Sequence, residues 1–108
     1  MSLNNTHLGT EGLKTLLARC RRLFFIGIGG VSMYALALLT LAEGVEVSGS
    51  DRTESARLDR LRQAGARIFP GHNAAHLDGC DAVIYTVAIA EDNPEYLEAK
   101  RRGPPLIS

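Results

Sequence analysis

An apolar run from Leu23 to Ile28 passes directly into Gly29-Gly30 and then into the uncharged stretch 31–42. A continuous apolar run bounded by Arg22 and by glycines has the pattern of a central strand covered on both faces. Residues 32–43 then read as a crossover helix, apolar nearly all round and therefore buried, with Gly44 as its C-terminal stop. A strand that turns through residues without side chains into a helix leaves backbone N–H groups at the helix start, where the dipole adds partial positive charge. The segment therefore implies a phosphate-binding loop. Its candidate residues are Gly27, Ile28, Gly29 and Gly30, presenting backbone donors, with Val31, Ser32 and Met33 opening the helix behind them. A ligand-free tight turn is the plainer alternative.

The rest of the chain repeats the alternation. Leu13, Leu16 and Leu17 suggest a short helix over 9–20, with residues 1–8 as a tail. Residues 45–51 form a second strand whose polar tip, Ser50 and Asp51, faces the glycine loop. Leu58, Leu61 and Ala64 mark the inward row of an amphipathic helix over 55–64 that Gly65 stops. Strands follow over 66–69 and 82–87, and Asn93-Pro94-Glu95 starts another helix, with Asn93 as cap and Pro94 in the first turn. Residues 104–107 begin a further strand. Strands alternating with helices predict one α/β domain of three layers, a parallel sheet of about five strands with helices on both faces.

Composition narrows the function. Twelve Lys and Arg balance twelve Asp and Glu, with no run of like charge, which argues against nucleic acid or an anionic membrane surface as partner. Cys20 and Cys80 lack metal-site or redox spacing and read as reduced, cytoplasmic thiols, Cys80 as an inert core group. No catalytic constellation and no metal-ligand cluster stands out. His7 and His76 read as surface residues, and Tyr34 as core.

Ligands in such sheets bind at the carboxyl ends of the strands. A dinucleotide fingerprint wants a third glycine where Ser32 stands, and an acidic residue ~20 positions further on, a place Asp51 fills. The Ser32 hydroxyl either donates to a phosphate or caps the helix. Asp51 accepts hydrogen bonds from ribose or base, or else closes an Asx turn. His72, after Pro70-Gly71, sits within reach of a base or is simply exposed. These features alone also fit an NAD(P)-binding domain of a dehydrogenase or regulator, or a domain that has lost its ligand.

Four short motifs in order go further: 25–33 (Phe-Ile-Gly-Ile-Gly-Gly-Val-Ser-Met), 47–51 (Val-Ser-Gly-Ser-Asp), 65–68 with Gly71-His72, and Ala88-Ile89 with 92–95 (Asp-Asn-Pro-Glu). Together they resemble the N-terminal domain of the Mur ligases, and most of all the branch that joins L-alanine to UDP-N-acetylmuramate in peptidoglycan precursor synthesis. The resemblance implies a Rossmann-like domain that holds the UDP-sugar. It places His72 near the uracil, and Thr86, Val87 and Ala88 beside the diphosphate, although Val87 departs from the serine usual in the family. It also implies that ATP and Mg²⁺ act in a second domain through a P-loop. No G-x-x-x-x-G-K-[ST] stretch occurs in these residues. The expectation is a single UDP-sugar-binding domain that binds without turning over, the ATP-binding and C-terminal domains being absent from it.

Overall fold

The computed structural model describes residues 20–85 and 92–102, together with the backbone of 106–107. Among them, β1 (Arg22–Ile26), β2 (Glu46–Asp51), β3 (Arg67–Pro70), β4 (Ala82–Ile84) and β5 (Leu106–Ile107) form one parallel sheet in the order β3-β2-β1-β4-β5. Helices α1 (Val31–Ala42), α2 (Ala56–Gln63) and α3 (Pro94–Arg102), with a short 3-10 helix at Ala74–Leu77, lie in the crossovers. The α/β layering and the parallel sheet expected from the sequence are what the chain forms. The helix expected over 9–20 lies outside the described residues apart from Cys20. So do the tail, His7 and the end of the fourth strand.

The period of two along β1 explains the layers. Leu23 and Phe25 point to one face, where they pack with Val47, Ala82 and Ile84 under Met33 and Ala37 of α1 and Leu58 and Leu61 of α2. Phe24 and Ile26 point to the other, against Val83, Tyr85, Leu77 and Ala99 of α3. Every residue from Leu23 to Ile26 is fully buried. A strand buried on both sides needs such a continuous apolar run.

The caps follow side-chain chemistry. Ser55 accepts from Leu58 N at the start of α2. Asn93 Oδ1 accepts from Glu95 N and Tyr96 N, at 2.8 and 3.2 Å, at the start of α3. Two expectations need correction. First, α1 is not a buried helix: Met33, Ala37 and Thr40 are buried, yet Val31 is 71% and Leu39 48% exposed. Among the described residues it packs chiefly on the sheet and α2, and the stripe Val31, Ala35, Leu39 and Ala42 is exposed. Second, Ala64 does not extend the inward row of α2. It is the exposed C-cap, because the helix ends at Gln63 and the chain turns at Gly65 with φ +107°.

Register places the carboxyl edge. Ile26 pairs with Ser50 and Asp51 with Pro70. The glycine loop, the tip of β2 and the turn carrying His72 therefore share one rim. Strand order reverses between β1 and β4, where a crevice opens in sheets of this kind.

Candidate functional site

Strand β1 stops at Ile26, two residues before the apolar run does, because Gly27 takes φ +74° and turns the chain. The carbonyl of Ser50 then clamps the turn, accepting from Gly27 N at 2.8 Å and Ile28 N at 2.9 Å. Gly30 N donates to Gly27 O at 3.1 Å, and Gly29 N to Asp51 Oδ2 at 2.9 Å. All four N–H groups of Gly27–Gly30 are thus committed within the chain, contrary to the expectation that the glycines themselves present donors. The reason is geometric, since a turn this tight folds three of its amides back onto β2 and the fourth onto its own first carbonyl.

The free donors lie one step further on. Gly30 is the N-cap of α1 and carries no side-chain cap. Among the described residues the N–H groups of Val31, Ser32 and Met33 have no partner, as the first turn of a helix requires, and the first turn holds no acidic residue. The dipole at this end of α1 is therefore not neutralised by its own side chains. Ser32 is not the cap. It sits inside the first turn with its side chain exposed, while the side chain of Met33 belongs to the core.

Gly29 and Gly30 differ in what a side chain would meet. A Cβ on Gly29 would lie 2.8 Å from Asp51 Oδ2 and 3.2 Å from Leu58 Cδ2. A Cβ on Gly30 would meet Gly27 O at an ordinary 3.5 Å and otherwise point into open space. Gly29 thus serves the fit of loop to β2, and the room above Gly30 is left for whatever lies over the helix start.

Asp51 closes the Asx turn expected of it and also holds the glycine loop. Its Oδ1 accepts from Thr53 N at 3.1 Å, an Asx turn, while Oδ2 holds Gly29 N. A carboxylate has about four acceptor sites, so capacity remains for hydroxyl donors. Arg57 is a residue the sequence did not single out. From the first turn of α2 its Nε donates to Gly29 O at 2.7 Å, which puts a guanidinium beside the loop. Cation and open helix terminus together suit an anionic group.

Ser50 and His72 are turned inward. Ser50 is fully buried, its hydroxyl 2.5 Å from Glu95 Oε1 and 2.9 Å from His72 Nδ1. The Ser50 side chain is therefore withheld from a ligand, although its carbonyl shapes the loop. His72 Nδ1 lies 2.7 Å from Glu95 Oε1. Serine and carboxylate meet the same ring nitrogen, so this grouping is not a nucleophilic relay, which needs them on opposite nitrogens. His76 is not a surface residue. It bonds Glu95 Oε2 through Nδ1 at 2.7 Å and stacks on Phe69 with ring centroids 4.1 Å apart.

A groove of about 280 Å³ bounded by Arg22, Ser48, Arg67, Phe69, His76 and Cys80 lies at the amino ends of β1 to β3, and none of the described candidate residues lines it. Burial raises both thiols above their ordinary value, Asp81 adding to the effect at Cys20. Among the described residues no group of His, Cys, Asp or Glu could hold a metal ion, and no helix is long and apolar enough to cross a membrane. Thr86, Val87 and Ala88 lie outside the described residues.

Residues 22–108 match the profile of the Mur ligase family, catalytic domain. The chain belongs to the Mur ligase family. It is 48% identical over 85 residues to the UDP-N-acetylmuramate–L-alanine ligase of a Nocardioides species, covering 79% of this chain and 19% of that protein. Among solved structures it is similar to the UDP-N-acetylmuramate-alanine ligase MurC of Thermotoga maritima. That likeness has a TM-score of 0.76 and 38% identity over 80% of this chain and 20% of that one. A murein peptide ligase of Psychrobacter arcticus follows with a TM-score of 0.74 and 31% identity, over 80% of this chain and 18% of that one. The chain spans about a fifth of the length of these Mur ligases.

Proposed function

We propose that this chain is the UDP-N-acetylmuramate-binding domain of an ATP-dependent ligase that joins L-alanine to that UDP-sugar, a cytoplasmic step of peptidoglycan precursor synthesis. The observation that carries the reading is the open first turn of α1, flanked by Arg57 and Asp51, in a chain 48% identical to a UDP-N-acetylmuramate–L-alanine ligase. In this reading residues 1–108 are one binding domain. Val31, Ser32 and Met33 donate their N–H groups to the diphosphate, and Arg57 offsets its charge. Gly27, Ile28 and Gly29 fix the loop, and Gly30 leaves room for the phosphates. Asp51 accepts from ribose hydroxyls, His72 lies by the base, and Thr86, Val87 and Ala88 flank the diphosphate.

ATP and Mg²⁺ do not fit these residues. Phosphoryl transfer depends on a phosphate-cradling loop with its lysine and on a bound cation. The sequence contains no P-loop pattern, and the described residues offer no cluster for a metal. Ligation chemistry in this reading takes place elsewhere in the ligase, and these residues bind and orient one substrate.

The test is calorimetric titration of the 108-residue chain with UDP-N-acetylmuramate, UDP and NAD⁺ in parallel. The expected result is binding of both uridine compounds and none of NAD⁺. Binding of NAD⁺ alone would overturn the reading in favour of a dinucleotide domain. Silence towards all three would show that these residues do not form a binding site by themselves.

A further inference from the structure

Glu95 is fully buried, and four polar groups surround its carboxylate. Ser50 Oγ stands 2.5 Å and His72 Nδ1 2.7 Å from Oε1, while His76 Nδ1 at 2.7 Å and Asn73 N at 3.3 Å meet Oε2. These groups come from β2, from the turn after β3 and from the 3-10 helix, and Glu95 sits in the first turn of α3. The first-turn position favours a negative charge, but the capping of α3 is complete without this carboxylate, because Asn93 supplies it.

An ionised carboxylate only accepts, at about four lone-pair sites, and here four groups face them. Asn73 N–H can only donate. A ring nitrogen without its proton would set lone pair against lone pair in a buried space, so consistent pairing puts the proton of each histidine on Nδ1. A neutral imidazole protonated on Nδ1 has its acceptor at Nε2. Neither Nε2 meets a partner among the described residues.

We propose that Glu95 is a positioning residue: it holds His72 as the Nδ1–H tautomer, and so presents Nε2 at the carboxyl edge of the sheet as an acceptor for an N–H donor of the ligand. The donor class is the imide of a pyrimidine base, and this last step rests on the proposed function. The same carboxylate anchors Ser50, whose carbonyl clamps Gly27 and Ile28, so one buried side chain sets both the base-facing histidine and the phosphate loop.

Two measurements test this on the 108-residue chain. Nitrogen-15 correlation spectra of the histidine rings at about pH 8, above the ordinary histidine value, should show pyrrole-type Nδ1 and pyridine-type Nε2 for His72. Pyrrole-type Nε2, or both nitrogens protonated, would overturn the proposal without any ligand or variant. Calorimetry should then show UDP binding weakened about tenfold in Glu95→Gln, the size expected for one misplaced hydrogen bond. The ring signals of that variant should lose the Nδ1–H signature. Unchanged UDP affinity with a changed tautomer would overturn the positioning role. Should Glu95→Gln fail to fold, His72→Phe takes its place, and equal UDP affinity there would sink the acceptor role. If the parent chain binds no UDP, the proposed function fails and the acceptor role falls with it, while the ring spectra still decide what Glu95 does to His72.

Discussion

Gly49 lies in the middle of β2, directly opposite Phe25, and the structure leaves no room there for even a methyl group. A Cβ would stand 2.7 Å from the Phe25 carbonyl oxygen, 2.7 Å from Ile28 Cδ1 and 2.8 Å from Ile28 Cβ. The carbonyl cannot retreat, because β1 is paired on both sides, with β2 and β4. Ile28 is held as well, since its N–H and that of Gly27 are bonded to the carbonyl of Ser50. Overpacking of this kind costs about 1–3 kcal/mol, and a clash with backbone belongs in the upper part of that range. Loss of unfolded-chain entropy on replacing glycine by alanine returns roughly 0.4–1 kcal/mol. Gly49→Ala should therefore destabilise by about 2 kcal/mol, or roughly 8–16 °C in Tm for a domain of this size. Urea unfolding followed by circular dichroism should show a lower midpoint with an unchanged slope. Gly30→Ala, whose Cβ meets nothing closer than 3.5 Å, serves as the comparison and should stay within about 1 kcal/mol of the parent. Equal midpoints for the two variants would refute the claim that β2 and the glycine loop are locked through Gly49.

Replacing Arg57 by Ala removes its hydrogen bond to Gly29 O and should cost about 1 kcal/mol in stability. It should lower UDP affinity several-fold and flatten its salt dependence, because a cation beside the loop is removed; salt-independent affinity in the parent would contradict this. Asn93→Ala removes the acceptor for two N–H groups of α3 and should cost about 1–2 kcal/mol in the same unfolding assay. Arg101 first, and Arg102 next, hold the Glu98 carboxyl down to about 2 from its ordinary 4.5. A carboxyl whose folded value is depressed stabilises above its unfolded value and loses that contribution as pH falls through the folded one. The window for Glu98 is therefore from about 4.5 down to about 2. Carbon-13 titration of its carboxyl should give a midpoint well below that of a free glutamate, moving upward as salt is added.

Much of this arrangement was legible in the sequence because its causes are local. A doubly apolar strand, a glycine turn and a helix start at Asn93-Pro94 each follow from adjacent residues. What escaped notice depends on the third dimension. Glu95 already had a sufficient local explanation as an acidic residue in a first turn, and nothing in its neighbourhood announces two histidines at positions 72 and 76. His76 looked exposed because its partners, Phe69 and Glu95, lie on other elements. Arg57 is one of three arginines on α2, and only the packing of that helix against the loop separates it from Arg60 and Arg62. The outward side of α1 could not be told from its inward side, since no charged residue marks either.

The Ser50 carbonyl that grips two successive amides has a kinetic consequence. A loop already held at Gly27, Ile28, Gly29 and Gly30 has little left to organise when a ligand arrives, so the encounter requires no slow rearrangement of its backbone. Ligands that share a diphosphate should then associate with this chain at similar rates, and their affinities should separate in how long they stay.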